Sequence, residues 1–307
     1  MADNLSAAQV GNTFADAVEQ VSPGVVAVLG RKRLPATGTV WETDETGAVI
    51  VTASHAVERE DQISIRLADD TNLPATLLGR DLTRDLAVLR VETTALDAAP
   101  IAAKHTRVGT LAMAVGRPFV TSTQASFGSV VFVGSLQFRN FPTGQMIHAD
   151  ATLYPGFSGG PLIDAAGEVL GINTSGARQS GSITIPSPCV TRIVRDIVAI
   201  GHVRTAWVGI TVQQVDLPDH IREEFPDQQT AVRVLGIEEG SPAGAAGLYV
   251  DDILVRAGSQ PLEDVTDLQH ILCDELIGES LPVIAWRADT RLEVNVTPIV
   301  RPEHNGG

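Results

Sequence analysis

The segment Tyr154-Pro155-Gly156-Phe157-Ser158-Gly159-Gly160-Pro161-Leu162 sets a serine among glycines. A nucleophilic serine needs its oxygen exposed on a tight turn, with backbone N–H groups aimed at the oxygen that becomes negative. Glycine beside it permits backbone conformations that a Cβ forbids. On this spacing Gly156 and Ser158 supply the two oxyanion N–H groups. A bare Ser-Gly-Gly is more often only a glycine-rich hairpin. The longer string, opening a strand read as LIDAAGEVLGINTS, is far more restrictive.

Serine is inert without a base. Of seven histidines, His55 in VTASHAV follows an apolar run, where its ring can project into a cleft. Asp85 in DLTRDLAVL stands at the entry to another such run. A buried carboxylate there holds the imidazole tautomer and stabilises the imidazolium formed during attack. Singly, His55 reads as a strand-end residue and Asp85 as a turn residue. In the order His…Asp…Ser, each at a strand end, they read as a triad.

Other chemistry finds less support. His148 and Asp150 are two apart with no further ligands at zinc spacing, so no metal is expected. No glycine-rich phosphate loop leads from a strand into a helix, so no nucleotide and no cofactor is expected. His105 reads as surface. His202 and Arg204 lie at a helix end, where cations suit the dipole. Cys189 reads as a small buried hydrophobe.

These residues need elements to carry them. Ala7, Val10, Phe14, Ala17, Val18 and Val21 recur at near-helical spacing behind Ser6, a candidate N-cap, and Pro23-Gly24 ends that helix. From Val25 to Ile185 short β-branched runs follow: VVAVL, AVIVTA, ISIRL, LAVLRV, TLAMAVG, GSVVFVG, VLGINT and SITIP. Such spacing without amphipathic helices indicates an all-β barrel or sandwich. Val190, Ile193, Val194, Ile197 and Val198 form a helical stripe closed by Gly201. From Trp207 a second, mixed region holds WVGITV, TAVRVLGI, DILVRAG, LPVIAWR and RLEVNVTPI, with a helix over 264–276. The expected division is a helical segment over 1–24, a β domain over 25–203, a smaller α+β domain over 204–300 and a tail over 301–307.

The 307 residues suffice for two domains of ordinary size. A formal charge of −15 with no basic run argues against nucleic acid or an anionic membrane surface. No run of 18 apolar residues exists to span a bilayer. The first residues lack the pattern of a signal peptide, and two cysteines, Cys189 and Cys273, do not make a disulfide framework. The expected compartment is cytoplasmic, or periplasmic or extracellular if a leader has been removed.

VTASHAV, DLTRDLAVLRV and ATLYPGFSGGPLIDAAGEVLGINTS resemble the three catalytic segments of HtrA/Deg proteases. The resemblance runs from Val21 to Pro298 and includes the helix VTRIVRDIVAIGHV. It implies a mainly β fold, a trypsin-like double β-barrel followed by a PDZ domain. His55, Asp85 and Ser158 would be the triad, with Gly156 serving the oxyanion hole. It further implies ATP-independent cleavage of unfolded or damaged proteins by a homo-oligomer, usually a trimer. The other reading is a catalytically silent chaperone or peptide-binding scaffold of the same build.

The resemblance also names a substrate pocket, with Thr152 as floor and Thr174 and Ser175 beside it. A neutral floor rejects basic side chains and favours small or medium aliphatic residues. Trp207-Val208-Gly209-Ile210 resembles the loop that receives a peptide C-terminus, and GSPAGAAGL…DDIL resembles the helix and strand beyond it. By itself WVGI is a buried strand with a glycine bulge. Two features depart from the pattern. Phe157 stands where the relatives carry a small polar residue, and must be buried locally, holding the turn active or locking it inactive. The segment 178–186 before the last barrel strand is short, which alters the pocket wall. Peptide docking on the second domain could bias the oxyanion turn.

Overall fold

The computed structural model describes residues 7–32, 34–103, 105–119, 122–135, 145–175, 183–272 and 276–302. Ser6, Cys273, most of the 178–186 segment and most of the 301–307 tail lie outside them. The chain divides into two compact units, Met1–Val203 and Arg204–Gly307.

The first unit opens with helix α1 (Ala7–Val21) and a 3-10 turn at Ser22–Gly24. Six strands follow: β1 (Val25–Leu29), β2 (Ala36–Asp44), β3 (Gly47–Ala53), β4 (Ile63–Arg66), β5 (Asn72–Asp81) and β6 (Leu86–Val91). They close into an antiparallel barrel in the order β1-β2-β3-β6-β5-β4. A second barrel comprises β7 (Leu111–Phe119), β8 (Ser122–Ser135), β9 (Gln145–Ala149), β10 (Pro161–Asp164), β11 (Val169–Thr174) and β12 (Ile183–Pro186), ordered β10-β11-β12-β9-β8-β7. Closure leaves neither sheet an open edge.

Successive side chains of a strand point to opposite faces, and the first barrel uses both faces of its strands. Ala48, Ile50, Ala87 and Leu89 fill its interior with Val26, Val28 and Ile65. The alternate residues Val49, Val51, Leu86 and Val88 join a different core. That core also takes Val115, Met146 and Ile172 from the second barrel. The two barrels therefore share one core.

Helix α2 (Ser187–Ile200) adds Val190, Ile193, Val194 and Ile197 to the shared core, and the Gly201 N–H bonds back to Ile197. It starts three residues earlier than the apolar stripe suggests, because Pro188 fits the first helical turn. Val198, expected on the buried stripe, is exposed. LIDAAGEVLGINTS is not one strand but the hairpin β10–β11, turned at Gly167.

The second unit pairs β13 (Ala206–Trp207) with a distal strand at Ile299–Val300. Its main sheet contains β14 (Ile210–Asp216), β15 (Thr230–Ile237), β16 (Ile253–Ala257), β17 (Gln260–Pro261), β18 (Leu281–Arg287) and β19 (Thr290–Val296). Their order is β14-β15-β16-β18-β19, with β17 on β16. Short helices lie at Asp219–Arg222, Pro242–Ala245 and Val265–Ile271. The last begins with a capping box between Asp264 and Asp267. Among the described residues, no helix is long and apolar enough to cross a membrane.

Leu89 is wholly buried inside the first barrel. Replacing it with alanine should cost about 2–5 kcal/mol, read as a lowered denaturation midpoint. A cost below about 0.5 kcal/mol would mean that this barrel does not pack as described.

Candidate active site

His55 occupies a 3-10 turn, Ser54–Ala56, at the end of β3. Asp85 stands one residue before β6, and β3 and β6 pair with Ala53 opposite Leu86. The sheet thus brings the two side chains together. His55 Nδ1 lies 2.6 Å from Asp85 Oδ2, and the His55 backbone N–H donates to Oδ1 at 2.8 Å. A carboxylate only accepts, so Nδ1 carries the proton and Nε2 is left as the basic nitrogen.

Asp85 adopts φ +55°, a left-handed conformation uncommon for a residue with a Cβ. Its surroundings hold it there. The Ser54 N–H donates to the Asp85 carbonyl at 2.9 Å. Just upstream, the buried Asp81 carboxylate accepts from the Arg84 N–H at 3.0 Å and from its guanidinium at 2.9 Å. Arg80 reaches the Ser54 carbonyl at 3.1 Å, tying the loop to the histidine turn.

Thr174, at the end of β11, donates its hydroxyl to Asp85 Oδ2. Burial pushes the Asp85 carboxyl up, but the His55 ring, the Thr174 hydroxyl and the His55 charge outweigh it. The group is held below the usual carboxylate range. Thr174 is 1% exposed and turned toward this carboxylate, so its side chain does not line a substrate pocket as expected. Its neighbour Ser175 is exposed and faces the Ser158 hydroxyl instead.

Ser158 lies on the turn between β9 and β10. Gly156 and Gly159 take φ +90° and +87°. A Cβ on Gly159 would collide with the Thr37 carbonyl and the Thr52 side chain, so only glycine fits. Phe157 points the other way and is wholly buried among Ala112, Ala114, Val130, Ile147 and Leu162. Its ring packs edge-on against Tyr154 at 5.5 Å. A Cβ added to Gly116 would come within 2.6 Å of that ring. The apolar residue before the serine is therefore an anchor in the second barrel's core.

Among the described residues, the N–H groups of Gly156 and Ser158 donate to no partner. They remain available to a developing oxyanion. The Ser158 hydroxyl shares a hydrogen bond with Ser175 Oγ at 2.9 Å, and among the described residues none joins it to His55. Of the three expected residues, His55 and Asp85 are directly bonded. Ser158 reaches the same junction through its backbone, by way of Thr37 and Thr52 of the first barrel.

Thr152 is exposed, and its carbonyl accepts from Ser126 Oγ at 2.6 Å. Cys189 is a buried thiol. Asp150 is engaged by the Ser129 N–H. In the second unit, Gly209, with φ +75°, breaks the chain between β13 and β14. The Val208 and Gly209 carbonyls accept from Ala243 and Glu238 at 3.0 and 2.9 Å. Among the described residues, their N–H groups donate to no backbone carbonyl. Ser241 caps the Pro242–Ala245 helix, and buried Asp252 binds Arg287 at 2.8 Å.

Residues 36–172 match the trypsin-like peptidase domain. The chain is 31% identical over 264 residues to a probable periplasmic serine endoprotease, DegP-like, of Pseudomonas savastanoi pv. phaseolicola, covering 83% of this chain and 54% of that protein. It is 28% identical over 302 residues to the serine endoprotease DegS of Escherichia coli, covering 92% and 84%. The chain spans about half the length of the DegP-like relatives it matches. Among solved structures, the HtrA-type protease AlgW with a tripeptide superposes with a TM-score of 0.68 at 26% identity, covering 96% of this chain and 99% of that one.

The lowered pKa of Asp85 bears on stability. Its contribution to stability should be full above the unfolded value of about 3.9 and lost only as pH falls through the lower folded value. In denaturation series, the gap between wild type and Asp85→Asn should not narrow from pH 7 to 5 and should close in stronger acid. A gap that closes between pH 7 and 5 would contradict this environment for the carboxylate.

Proposed function

We propose, on the match of residues 36–172 to the trypsin-like peptidase domain and the likeness to HtrA-type proteases, that the chain is a serine endopeptidase of that kind with Ser158 as nucleophile. The observation that carries this reading is the 2.6 Å bond from the His55 ring to Asp85, with the carboxylate's other oxygen on the His55 N–H. It fixes the tautomer that a general base needs. The Ser158 hydroxyl turns from Ser175 to His55 Nε2, loses its proton there and attacks the scissile carbonyl. The carbonyl oxygen moves into the free N–H groups of Gly156 and Ser158. His55 then returns the proton to the leaving amine, and water repeats the cycle on the acyl-enzyme.

Substrates on this reading are unfolded or damaged polypeptides, cut after small or medium aliphatic residues above Thr152. The second unit acts as a PDZ domain, binding peptide C-termini at Trp207, Val208, Gly209 and Ile210. The unpartnered N–H groups of Val208 and Gly209 support that role. The likeness to probable periplasmic DegP-like endoproteases favours a periplasmic compartment over a cytoplasmic one. Exposed Phe119 and Phe127 on the second barrel, with Phe14 edge-on against Phe127 at 4.8 Å, suit self-association into a trimer.

One observation favours a silent peptide-binding protein: the nucleophile rests on Ser175, not on His55. Casein degradation separates the two readings. The Ser158→Ala protein should lose on the order of 10⁶ in turnover. Equal degradation by both forms would end the enzymatic reading at this serine.

A further inference from the structure

Two buried threonines of the first barrel grip the Ser158 turn of the second, and a third braces one of them. Thr37 Oγ1 donates to the Gly156 carbonyl at 2.7 Å, and the Thr37 N–H donates to the Ser158 carbonyl at 3.1 Å. Thr39 Oγ1 donates to the Gly159 carbonyl at 3.0 Å. Thr52 Oγ1, three residues before His55, donates to the Thr37 carbonyl at 2.7 Å. All three side chains are fully shielded from solvent.

The direction of the Thr37 hydroxyl is not free. The Arg117 N–H can only donate, and it does so to Thr37 Oγ1 at 2.8 Å. The hydroxyl's own proton is left for the Gly156 carbonyl, which can only accept. Arg117 is itself fastened through its guanidinium to the Val25 carbonyl at 2.8 Å and the Thr123 hydroxyl at 2.8 Å.

The consequence follows one peptide plane at a time. The plane between Gly156 and Phe157 is held by Thr37 Oγ1 on one side and by the Phe157 N–H on the Tyr154 carbonyl, 3.0 Å, on the other. The next plane carries the Ser158 N–H and is fixed by Gly160 N–H on the Phe157 carbonyl at 2.9 Å. The plane after Ser158 is held by the Thr37 N–H and by Gly159 N–H on the Asn173 carbonyl at 2.8 Å. Two of these three planes end on Thr37, a residue of the barrel that carries His55.

We propose that Thr37 is a positioning residue, whose hydroxyl sets the nucleophile turn against the barrel of the base. It touches neither substrate nor the reacting oxygen. It acts by orienting the peptide planes around Ser158, and so the oxyanion N–H groups and the Ser158 side chain. The assignment deepens the endopeptidase reading and rests on it.

Thr37→Val keeps the shape and the backbone N–H but removes the hydroxyl. In the full-length protein it should lower kcat by about 10- to 100-fold, the scale of a misplacement of about 1 Å. KM for a peptide substrate should move by less than about threefold, because the binding surface is untouched. The rate of fluorophosphonate labelling should fall in parallel, and Thr37→Ser should restore both. Should Thr37→Val not fold, Thr37→Cys, with a weak donor in the same place, should give an intermediate kcat. Full kcat in Thr37→Val or Thr37→Cys, or a Thr37→Ser protein no better than Thr37→Val, would overturn this role. A wild type without Ser158-dependent turnover would sink the endopeptidase reading and this role with it. An active wild type matched by Thr37→Val would sink this role alone.

Discussion

The hydrogen bonds from Thr37 and Thr39 across the barrel junction, with Thr52 bracing the Thr37 carbonyl from within the first barrel, are the constraint on which the rest of the structure depends. His55 and Asp85 belong to the first barrel, while Ser158 belongs to the second. Neither barrel alone holds a complete set. Buried hydroxyl-to-carbonyl bonds are directional, and each would leave a costly unpaired group if broken. The apolar core shared by Val51, Leu86, Val115 and Met146 supplies adhesion without direction. The threonines supply the direction.

Charge organises the other half of the site. The Asp85 carboxylate takes three donors, the His55 ring, the His55 N–H and the Thr174 hydroxyl, so it stays ionised despite its partial burial. An ionised, fixed carboxylate stabilises an imidazolium without taking its proton. Thr174 and Ser175 then face opposite ways from the end of one strand. One hydroxyl holds the Asp85 carboxylate and the other the Ser158 hydroxyl.

Much of this was legible in the residues. The segments carrying His55, Asp85 and Ser158 lie at strand ends, because turns with fixed neighbours leave short recognisable strings such as VTASHAV and GFSGGPL. The runs VVAVL and LAVLRV correspond to β1 and β6 without adjustment. The strand ATGTVWETD was passed over, since its polar residues face buried carbonyls rather than water. Thr37 and Gly156 are 119 positions apart, a separation that no local pattern encodes. The direction of the Thr174 side chain is equally hidden in the sequence: strand phase, not composition, decides which face a hydroxyl takes. The burial expected of Phe157 was legible, but its fit against Gly116 was not.

The most direct test is a crystal structure of the protein after reaction with a fluorophosphonate. The account predicts phosphorus bonded to Ser158 Oγ, with the phosphonyl oxygen about 2.7–3.1 Å from the N–H groups of both Gly156 and Ser158. His55 should remain on Asp85 with Nε2 turned toward the adduct. An adduct on Ser175 instead, or one whose oxygen points away from both N–H groups, would contradict it.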